Sequence, residues 1–294
     1  MASDSETDVK IHLLPNLMTA GNLFCGFIAV LLISKGSALG GMEMLKQTSH
    51  LYTNAILLIF GACVFDLLDG RVARISGQES DFGREFDSLA DVVSFGMAPA
   101  LLLMDIVLFE LTDTLGQILA FVYLLCGTMR LARFNCVAAI RNQGTSKDFN
   151  GVPIPAAAGF ISSVTLAMLY LGEDHPEILS KIKFLLVVLM LLVSFLMFSN
   201  IKYPSFKDLK IGKQRPVPAV LVAILLVVFT VRYYKWMPAV VFTLYLVYGL
   251  VRPSISRRWR REIEVLDDDD EDDEDDVSDA PTVDSKESET SASA

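Results

Sequence analysis

Long apolar segments constrain this chain more than any other feature of its sequence. A transmembrane helix needs about 20 consecutive, mainly apolar residues, because the hydrocarbon core of a bilayer is about 30 Å thick. The chain has 294 residues, of which 52% are hydrophobic, and they are concentrated in segments of this length. The pattern predicts an all-α, polytopic membrane protein with about eight transmembrane helices, at roughly 15–34, 52–72, 86–109, 115–137, 153–172, 182–200, 216–232 and 236–252.

The distribution of basic residues predicts how these helices are oriented. With an even number of spans, both termini lie on one side of the membrane, and 18 of the 24 Lys and Arg residues before the acidic tail fall on that side against six on the other. Short cytoplasmic loops are rich in Lys and Arg. We therefore expect both termini and the connection 71–85 to face the cytoplasm, in the inner (cell) membrane if the protein is bacterial.

Charge also divides the chain into three regions. We expect a cytoplasmic N-terminal segment at 1–14, a transmembrane domain at 15–252, and a C-terminal segment at 253–294. The last of these contains the basic letters "SRRWRR" near its start and ends in a tail with 14 acids and one lysine. Such a tail should be disordered, because it has almost nothing to bury. The start "MASDSETDVK" is acidic, so the first apolar segment is expected to remain as a helix instead of being cleaved as a signal peptide.

The letters "DLLDGRVAR", residues 66–74, place two carboxylates at the end of an apolar span. The pattern continues with "ISGQESDFGREFDSLAD", so that four aspartates occupy two neighbouring spans. Residues three or four apart lie on one face of a helix, and two helices joined by a short loop are natural antiparallel neighbours. We expect the carboxylates to converge between the two helices, in a polar cavity that faces the cytoplasm and opens sideways to lipid. They belong to Asp66, Asp69, Asp87 and Asp91.

Clustered carboxylates predict a metal site. In a medium of low dielectric constant they repel one another and take up protons unless cations hold them. Carboxylate oxygens are the ligands that this segment offers, and none of the three histidines lies near it. Oxygen ligands favour hard divalent ions. We expect Mg²⁺ or Mn²⁺, with two ions sharing bridging carboxylates.

Small residues beside the aspartates predict a phosphate-containing ligand. Gly70, Ala73 and Gly83 leave room for a bulky group, while Arg74 offers a planar guanidinium suited to phosphate oxygens. The alternative is that the small residues serve helix packing and that the acids are solvated at the membrane boundary. Metal ligands, an arginine and free space at the membrane surface together favour a ligand whose tail lies in the lipid.

Residues 66–91 resemble the signature of the CDP-alcohol phosphatidyltransferase family, D-x2-D-G-x2-A-R-x8-G-x3-D-x3-D, at every fixed position. The resemblance implies integral membrane enzymes, commonly homodimers, that transfer a phosphatidyl group from a CDP-linked lipid to an alcohol and release CMP. It implies Asp66, Asp69 and Asp87 as principal metal ligands, and Asp91 as a further ligand and the general base. Around the nucleotide and its pyrophosphate it places Gly70, Ala73, Arg74 and Gly83.

Four further stretches resemble the phosphatidylserine synthase branch of this family. They are "PNLMTAGNLFCGF", "RLARFN", "GVPIPAAAG" and "SNIKYPSFKDL". This resemblance implies CDP-diacylglycerol as the donor and L-serine as the acceptor. The partners expected are therefore these two substrates, membrane lipids and a second copy of the chain, with no nucleic acid beyond the CDP moiety.

Candidate substrate contacts lie outside the aspartate motif. The carboxylate of serine needs a cation or several hydrogen-bond donors, so Arg130 and Arg133, with Asn135 as a polar partner, are candidates. The alternative for both arginines is that they reflect the positive charge of cytoplasmic connections. In the first span, contacts to the nucleotide are expected from Asn16, Thr19 and Asn22, for which helix capping and interhelical hydrogen bonds are the alternative.

Other functions remain open at this point. The same chemistry could use glycerol 3-phosphate, inositol phosphate or another amino alcohol as acceptor, or an archaeal donor lipid. A divalent-cation transporter is an alternative from another class. Transporter sites tend to lie near the bilayer midplane on interrupted helices, whereas these acids lie toward one face and beside Arg74.

Overall fold

A computed structural model describes residues 13–76, 80–108, 113–141, 151–174, 176–199, 229–230 and 232–251. Every regular element within these ranges is helical, which confirms the predicted all-α class. The α-helices are Leu13–Ala38 (α1), Leu45–Ser76 (α2), Asp81–Asp91 (α3), Ala98–Ile106 (α4), Asp113–Arg141 (α5), Ile154–Asp174 (α6), Pro176–Phe198 (α7) and Met237–Val251 (α8). A 3-10 turn at Gly41–Met44 precedes α2, and a π-helical segment at Val92–Met97 joins α3 to α4.

Five helical segments in the described ranges are long and apolar enough to cross a membrane. They are Leu13–Ala38, Gln47–Ala73, Asp81–Ile106, Thr114–Val137 and Ile154–Gly172, and two shorter apolar helices occupy Lys183–Phe198 and Met237–Val251. The chain is therefore a polytopic integral membrane protein. The predicted span 216–232 lies outside the described residues apart from 229, 230 and 232, as do the N-terminal segment up to residue 12 and the tail from residue 252. The count of eight spans and the polar cavity stay predictions.

The third span begins earlier than predicted, at Asp81 instead of residue 86. Ser80 has an extended backbone, with φ −130° and ψ 150°, and its hydroxyl oxygen accepts a hydrogen bond from the Gly83 amide at 3.0 Å. A serine in this position satisfies one of the amides that the first turn of a helix leaves without an intrahelical partner. Local capping therefore starts the helix before the apolar segment begins.

Glycines allow α1 to lie close against its neighbours. A Cβ atom at Gly21 would come within 2.9 Å of the Phe65 ring, and one at Gly36 within 2.9 Å of the Tyr52 ring. In lipid, helices associate by close packing of small residues, because the lipid is as apolar as the side chains. These glycines hold α1 close to α2 at Tyr52 and at Phe65, one residue before Asp66.

Several polar residues are buried together with the apolar core of this fold, and many large apolar residues are exposed. The exposed apolar set includes Phe24, Phe27, Phe121, Phe184 and Phe195, each more than half exposed. The buried polar set includes Thr19, Asn22, Asp66, Asp69, Asp91 and Ser94. An apolar exterior fits contact with lipid, whereas buried carboxylates inside a membrane domain mark a functional site.

Candidate metal and substrate site

Three of the predicted ligands meet where α2 ends and α3 begins. Carboxylate oxygens of Asp66, Asp69 and Asp87 lie within 4.8 Å of one another. Asp66 and Asp69 share one face of α2 and are only 7% and 5% exposed. Hard divalent ions prefer oxygen ligands, so three converging carboxylates suit Mg²⁺ or Mn²⁺. The predicted convergence is thus observed for these three residues.

Asp91, the fourth predicted ligand, is not one of the three residues whose oxygens lie within 4.8 Å of one another. It is the last residue of α3 and is 5% exposed. One of its oxygens, Oδ1, accepts a hydrogen bond from the side-chain amide of Asn22 at 3.0 Å. The fourth aspartate is therefore hydrogen-bonded to α1.

Two polar residues of α1 contact the aspartates directly. The Thr19 hydroxyl donates to Oδ2 of Asp69 at 3.0 Å, and Asn22 donates to Asp91. Asn16 lies against the start of α3, since its Oδ1 is 3.3 Å from the position of a Cβ atom on Gly83. The Asn16 amide nitrogen is buried and has no hydrogen-bond partner among the described residues. The interhelical bonds that sequence reasoning gave as the alternative are present for Thr19 and Asn22.

The two glycines of the motif have different surroundings. A Cβ atom on Gly83 would come within 3.2 Å of the Ser80 hydroxyl, so this glycine permits close packing at the start of α3. A Cβ atom on Gly70 would meet nothing within 4 Å. Open space therefore lies beside Gly70, one residue after Asp69. Ala73 is half-buried one turn later in α2, and the side chain of Arg74 lies outside what the structure describes.

The π-helical segment follows Asp91 at once and was not predicted. The amide of Ala98 bonds to the Val93 carbonyl five residues earlier, which is the π-helical spacing. Pro99 has no amide hydrogen for the Phe95 carbonyl, which accepts a hydrogen bond from the Tyr123 hydroxyl at 3.1 Å instead. A proline inside an apolar span was the signal that could have revealed this element. Single-turn π-helices occur frequently at functional sites.

Helix α5 brings one arginine to the acidic site. Arg130 interacts electrostatically with Asp91 and Asp66, and its Nε atom is buried without a hydrogen-bond partner among the described residues. Tyr245 of α8 also lies within electrostatic range of Arg130, and sequence reasoning did not single it out. Arg133, three residues further along α5, is exposed. The structure thus brings Arg130 within electrostatic range of two of the aspartates.

Asn135 connects α5 to α3. Its amide nitrogen donates to Oε2 of Glu85 and to the Ser88 hydroxyl, each at 3.0 Å. The Ser88 hydroxyl lies 3.3 Å from the Asn135 side-chain oxygen. These bonds use the polar atoms that were predicted to contact serine. They also fix α5, which carries Arg130, against the helix that carries Asp87.

A comparison with known families decides between the remaining classes of function. A model of the CDP-alcohol phosphatidyltransferase family matches residues 12–198, which include every aspartate of the site. The chain belongs to this family. The predicted resemblance and the prediction of a transferase are therefore confirmed.

Similarity to known proteins extends over most of the chain. CDP-diacylglycerol–serine O-phosphatidyltransferase of Helicobacter pylori (strain ATCC 700392 / 26695) is 34% identical over 242 residues, covering 82% of this chain and 91% of that protein. The enzyme of the same name from Methanocaldococcus jannaschii is 34% identical over 203 residues, covering 68% and 77%. Archaetidylserine synthase of Methanothermobacter thermautotrophicus is 35% identical over 195 residues, covering 65% and 69%.

Proposed function

We propose that this protein transfers the phosphatidyl group of CDP-diacylglycerol to the hydroxyl of L-serine, giving phosphatidylserine and CMP. The observation that carries the proposal is the convergence of Asp66, Asp69 and Asp87 in a member of the CDP-alcohol phosphatidyltransferase family. Relatives named for transfer to serine support the acceptor. The relative named archaetidylserine synthase also supports serine as the acceptor. Its name gives an archaeal lipid as the alternative donor.

The three converging carboxylates would hold the divalent cation, and Asp91 is proposed as a further ligand. We propose Mg²⁺ or Mn²⁺, with two ions sharing carboxylates. Once bound, the cation supplies positive charge beside the phosphate oxygens and the departing CMP. Thr19 orients Asp69 through the 3.0 Å hydrogen bond, so α1 contributes to the shape of the metal site.

The nucleotide and its pyrophosphate are proposed to bind along α2 and the start of α3. Gly70 offers open space next to Asp69, and Ala73 and Arg74 follow on the same helix. Gly83 and Asn16 close the site where α1 meets α3. The buried amide of Asn16, which has no partner among the described residues, is available to donate to an oxygen of the nucleotide.

Asp91 is proposed to act as the general base. As the serine hydroxyl attacks the lipid-side phosphorus, a new O–P bond forms and the bond between this phosphorus and the CMP oxygen breaks. The hydroxyl proton moves to the Asp91 carboxylate, and CMP leaves with the bonding electron pair. Direct attack requires no covalent intermediate on the protein.

Serine is proposed to bind between α5 and the aspartates. Arg130 is the favoured partner for its carboxylate, because its buried Nε has no partner among the described residues and its charge lies within electrostatic range of Asp91, where the serine hydroxyl must lie. Arg133 is exposed, and the described contacts of Asn135 are with Glu85 and Ser88. A more peripheral role in serine binding is therefore proposed for these two residues.

The site is proposed to face the cytoplasm, in the inner membrane if the protein is bacterial, and the protein is proposed to form a homodimer. Orientation follows from the excess of Lys and Arg on the side of the termini. Asp66 and Asp69 lie in the second half of α2 and Asp87 in α3, which begins soon after α2 ends, so the orientation of the chain sets that of the site.

CMP release by the purified protein tests the proposal. CDP-diacylglycerol and Mg²⁺ or Mn²⁺ are supplied with L-serine, glycerol 3-phosphate or inositol phosphate in separate reactions. Release with serine alone, lost in Asp91→Asn and kept in Asp105→Asn, is the expected result. Asp105 is a matched control because it lies in α4, where it accepts a hydrogen bond from Tyr52. Release with a phosphorylated acceptor alone would overturn the assignment of serine.

A further inference from the structure

We infer that Asn22 is a positioning residue that fixes the carboxylate of Asp91 for proton transfer from the acceptor alcohol. The inference rests on the proposed function, from which it takes the role of Asp91. Asn22 was predicted to contact the nucleotide, but its side-chain nitrogen lies 3.0 Å from Oδ1 of Asp91. The two residues are 69 positions apart, so the bond is a product of tertiary packing.

Burial makes this hydrogen bond hard to replace. Asn22 is fully buried and Asp91 is 5% exposed, so bulk water does not compete for the carboxylate oxygen. A hydrogen bond to an ionised group is about twice as strong as one between neutral groups. A low local dielectric constant strengthens it further. The amide therefore restricts rotation of a carboxylate that lies at the end of α3.

The backbone of Asn22 is itself fixed against the π-helical segment. Its carbonyl oxygen accepts a hydrogen bond from the Ser94 hydroxyl at 3.0 Å. One turn later in α1, a Cβ atom on Gly26 would lie only 2.7 Å from the Ser94 Cα atom, so the two backbones are in close contact. Ser94 lies three residues after Asp91. The donor and the acceptor of the Asn22–Asp91 bond therefore belong to one closely packed unit.

Packing alone does not explain an asparagine at this position. The side-chain oxygen of Asn22 is buried and has no hydrogen-bond partner among the described residues. A buried polar atom without a partner destabilises a fold, whereas leucine of similar volume would avoid this cost in an apolar helix. The bond from the side-chain nitrogen to Asp91 gives asparagine a role that leucine cannot fill.

The test compares Asn22→Leu with the wild type and with Asn54→Leu. Asn54 is an exposed asparagine of α2 and serves as the matched control. With serine as acceptor, we expect kcat for CMP release to fall about 10- to 100-fold in Asn22→Leu, the range for loss of a hydrogen bond to a charged group. The KM for CDP-diacylglycerol should stay unchanged, because the proposed nucleotide site lies along α2 and the start of α3. Since Asp91 is also a proposed metal ligand, kcat is compared at saturating Mn²⁺, so that weaker metal binding does not account for the loss.

A double variant of Asn22 and Asp91 distinguishes loss of Asp91 positioning from general destabilisation of the protein. In single-turnover measurements, Asn22→Leu should cost little further rate when Asp91→Asn is already present, because both changes remove the same function. If the two single-variant losses of rate multiplied in the double variant, the inference would be overturned. It would also be overturned by an unchanged kcat in Asn22→Leu, or by a raised KM for CDP-diacylglycerol at unchanged kcat, which would indicate a nucleotide contact.

Assays of the wild type with L-serine, glycerol 3-phosphate and inositol phosphate distinguish failure of this inference from failure of the proposed function. If the wild type uses another acceptor and not serine, the proposed function fails, and the Asn22→Leu comparison is made with that acceptor. If the wild type uses serine and Asn22→Leu is equally fast, only the inference fails. Absence of CMP release with every acceptor would overturn both.

Discussion

The Thr19 hydroxyl donates a 3.0 Å hydrogen bond to Oδ2 of Asp69 and thereby links α1 to the acidic end of α2. Both residues are buried, at 3% and 5% exposure. Hydrogen bonds from neighbouring residues orient metal ligands, and their loss typically weakens metal affinity about 10- to 100-fold. The first span therefore contributes directly to the geometry of the acidic site.

Removal of this hydroxyl is expected to weaken metal binding. Thr19→Val has nearly the same shape but cannot donate, so we expect the Mn²⁺ dissociation constant to rise at least about tenfold. Thr19→Ser keeps the donor and should bind Mn²⁺ nearly as well as the wild type. Electron paramagnetic resonance titration measures both. Equal affinity in the valine and serine variants would show that the bond to Asp69 has no role in metal binding.

Neutralising one of the three converging aspartates should separate stability from activity. Asp66→Asn or Asp87→Asn removes a negative charge from a cluster whose carboxylates repel one another when no cation is bound. In EDTA, we expect both variants to unfold at or above the wild-type temperature, while CMP release in Mg²⁺ falls at least about 100-fold. Thermal unfolding and CMP assays test this. A large loss of stability in EDTA would argue for a structural role instead.

Gly70 and Gly61 lie on the same helix and offer a matched pair of substitutions. Gly70→Ala places a methyl group where nothing lies within 4 Å, and Gly61→Ala meets only the Cys25 sulfur at 3.7 Å. Both should be tolerated by the fold, because alanine favours a helix over glycine by about 1 kcal/mol. Only Gly70→Ala fills space beside Asp69, so only this variant should raise the KM for CDP-diacylglycerol. An equal KM in both variants would contradict a nucleotide site beside Gly70.

Local patterns explain the part of this structure that sequence could predict. Helices were predicted because apolar length is a property of contiguous segments, and the convergence of Asp66, Asp69 and Asp87 follows from helical spacing and one short connection. The early start of α3 also had a local signal in Ser80, which caps the helix. Capping took precedence over the apolar pattern from which the boundary was predicted.

Contacts between distant segments explain what sequence could not predict. The bond from Asn22 to Asp91 depends on how α1 packs against the π-helical segment, which no periodicity of either segment specifies. The same holds for Arg130, which interacts with the aspartates from α5, a helix that Asn135 joins to α3 by hydrogen bonds. Sequence identified these residues as polar and well placed along their helices. Only the packed structure assigns their partners.

The hydrogen bond from Tyr123 to the Phe95 carbonyl is expected to stabilise the π-helical segment. Pro99 cannot donate to this carbonyl, so Tyr123→Phe would leave a buried backbone oxygen without the observed donor. Such a loss costs about 1–3 kcal/mol. We expect the unfolding temperature in detergent to fall by several degrees, at about 2–4 °C per kcal/mol. Tyr233→Phe, at an exposed position, is the control, and equal unfolding temperatures in the two variants would contradict the prediction.

Substitution of Arg130 should weaken binding of the acceptor, serine, and leave binding of the donor, CDP-diacylglycerol, unchanged. If its guanidinium binds the serine carboxylate, Arg130→Gln removes a charged hydrogen-bond partner, and the KM for serine should rise about 10- to 100-fold. The KM for CDP-diacylglycerol should stay unchanged, because the proposed nucleotide site lies along α2 and the start of α3. Arg232→Gln, which changes an exposed arginine that precedes α8, is the control.

The rival role for Arg130 is that of a counter-charge to Asp91 and Asp66, and it makes different predictions. Without the arginine, the aspartates would attract cations more strongly, so the Mn²⁺ affinity of Arg130→Gln would rise. The protein would also lose stability in EDTA, because the repulsion among the carboxylates would increase. A raised KM for serine with unchanged Mn²⁺ affinity therefore supports serine binding. Tighter Mn²⁺ binding with an unchanged KM for serine would assign the arginine to charge balance.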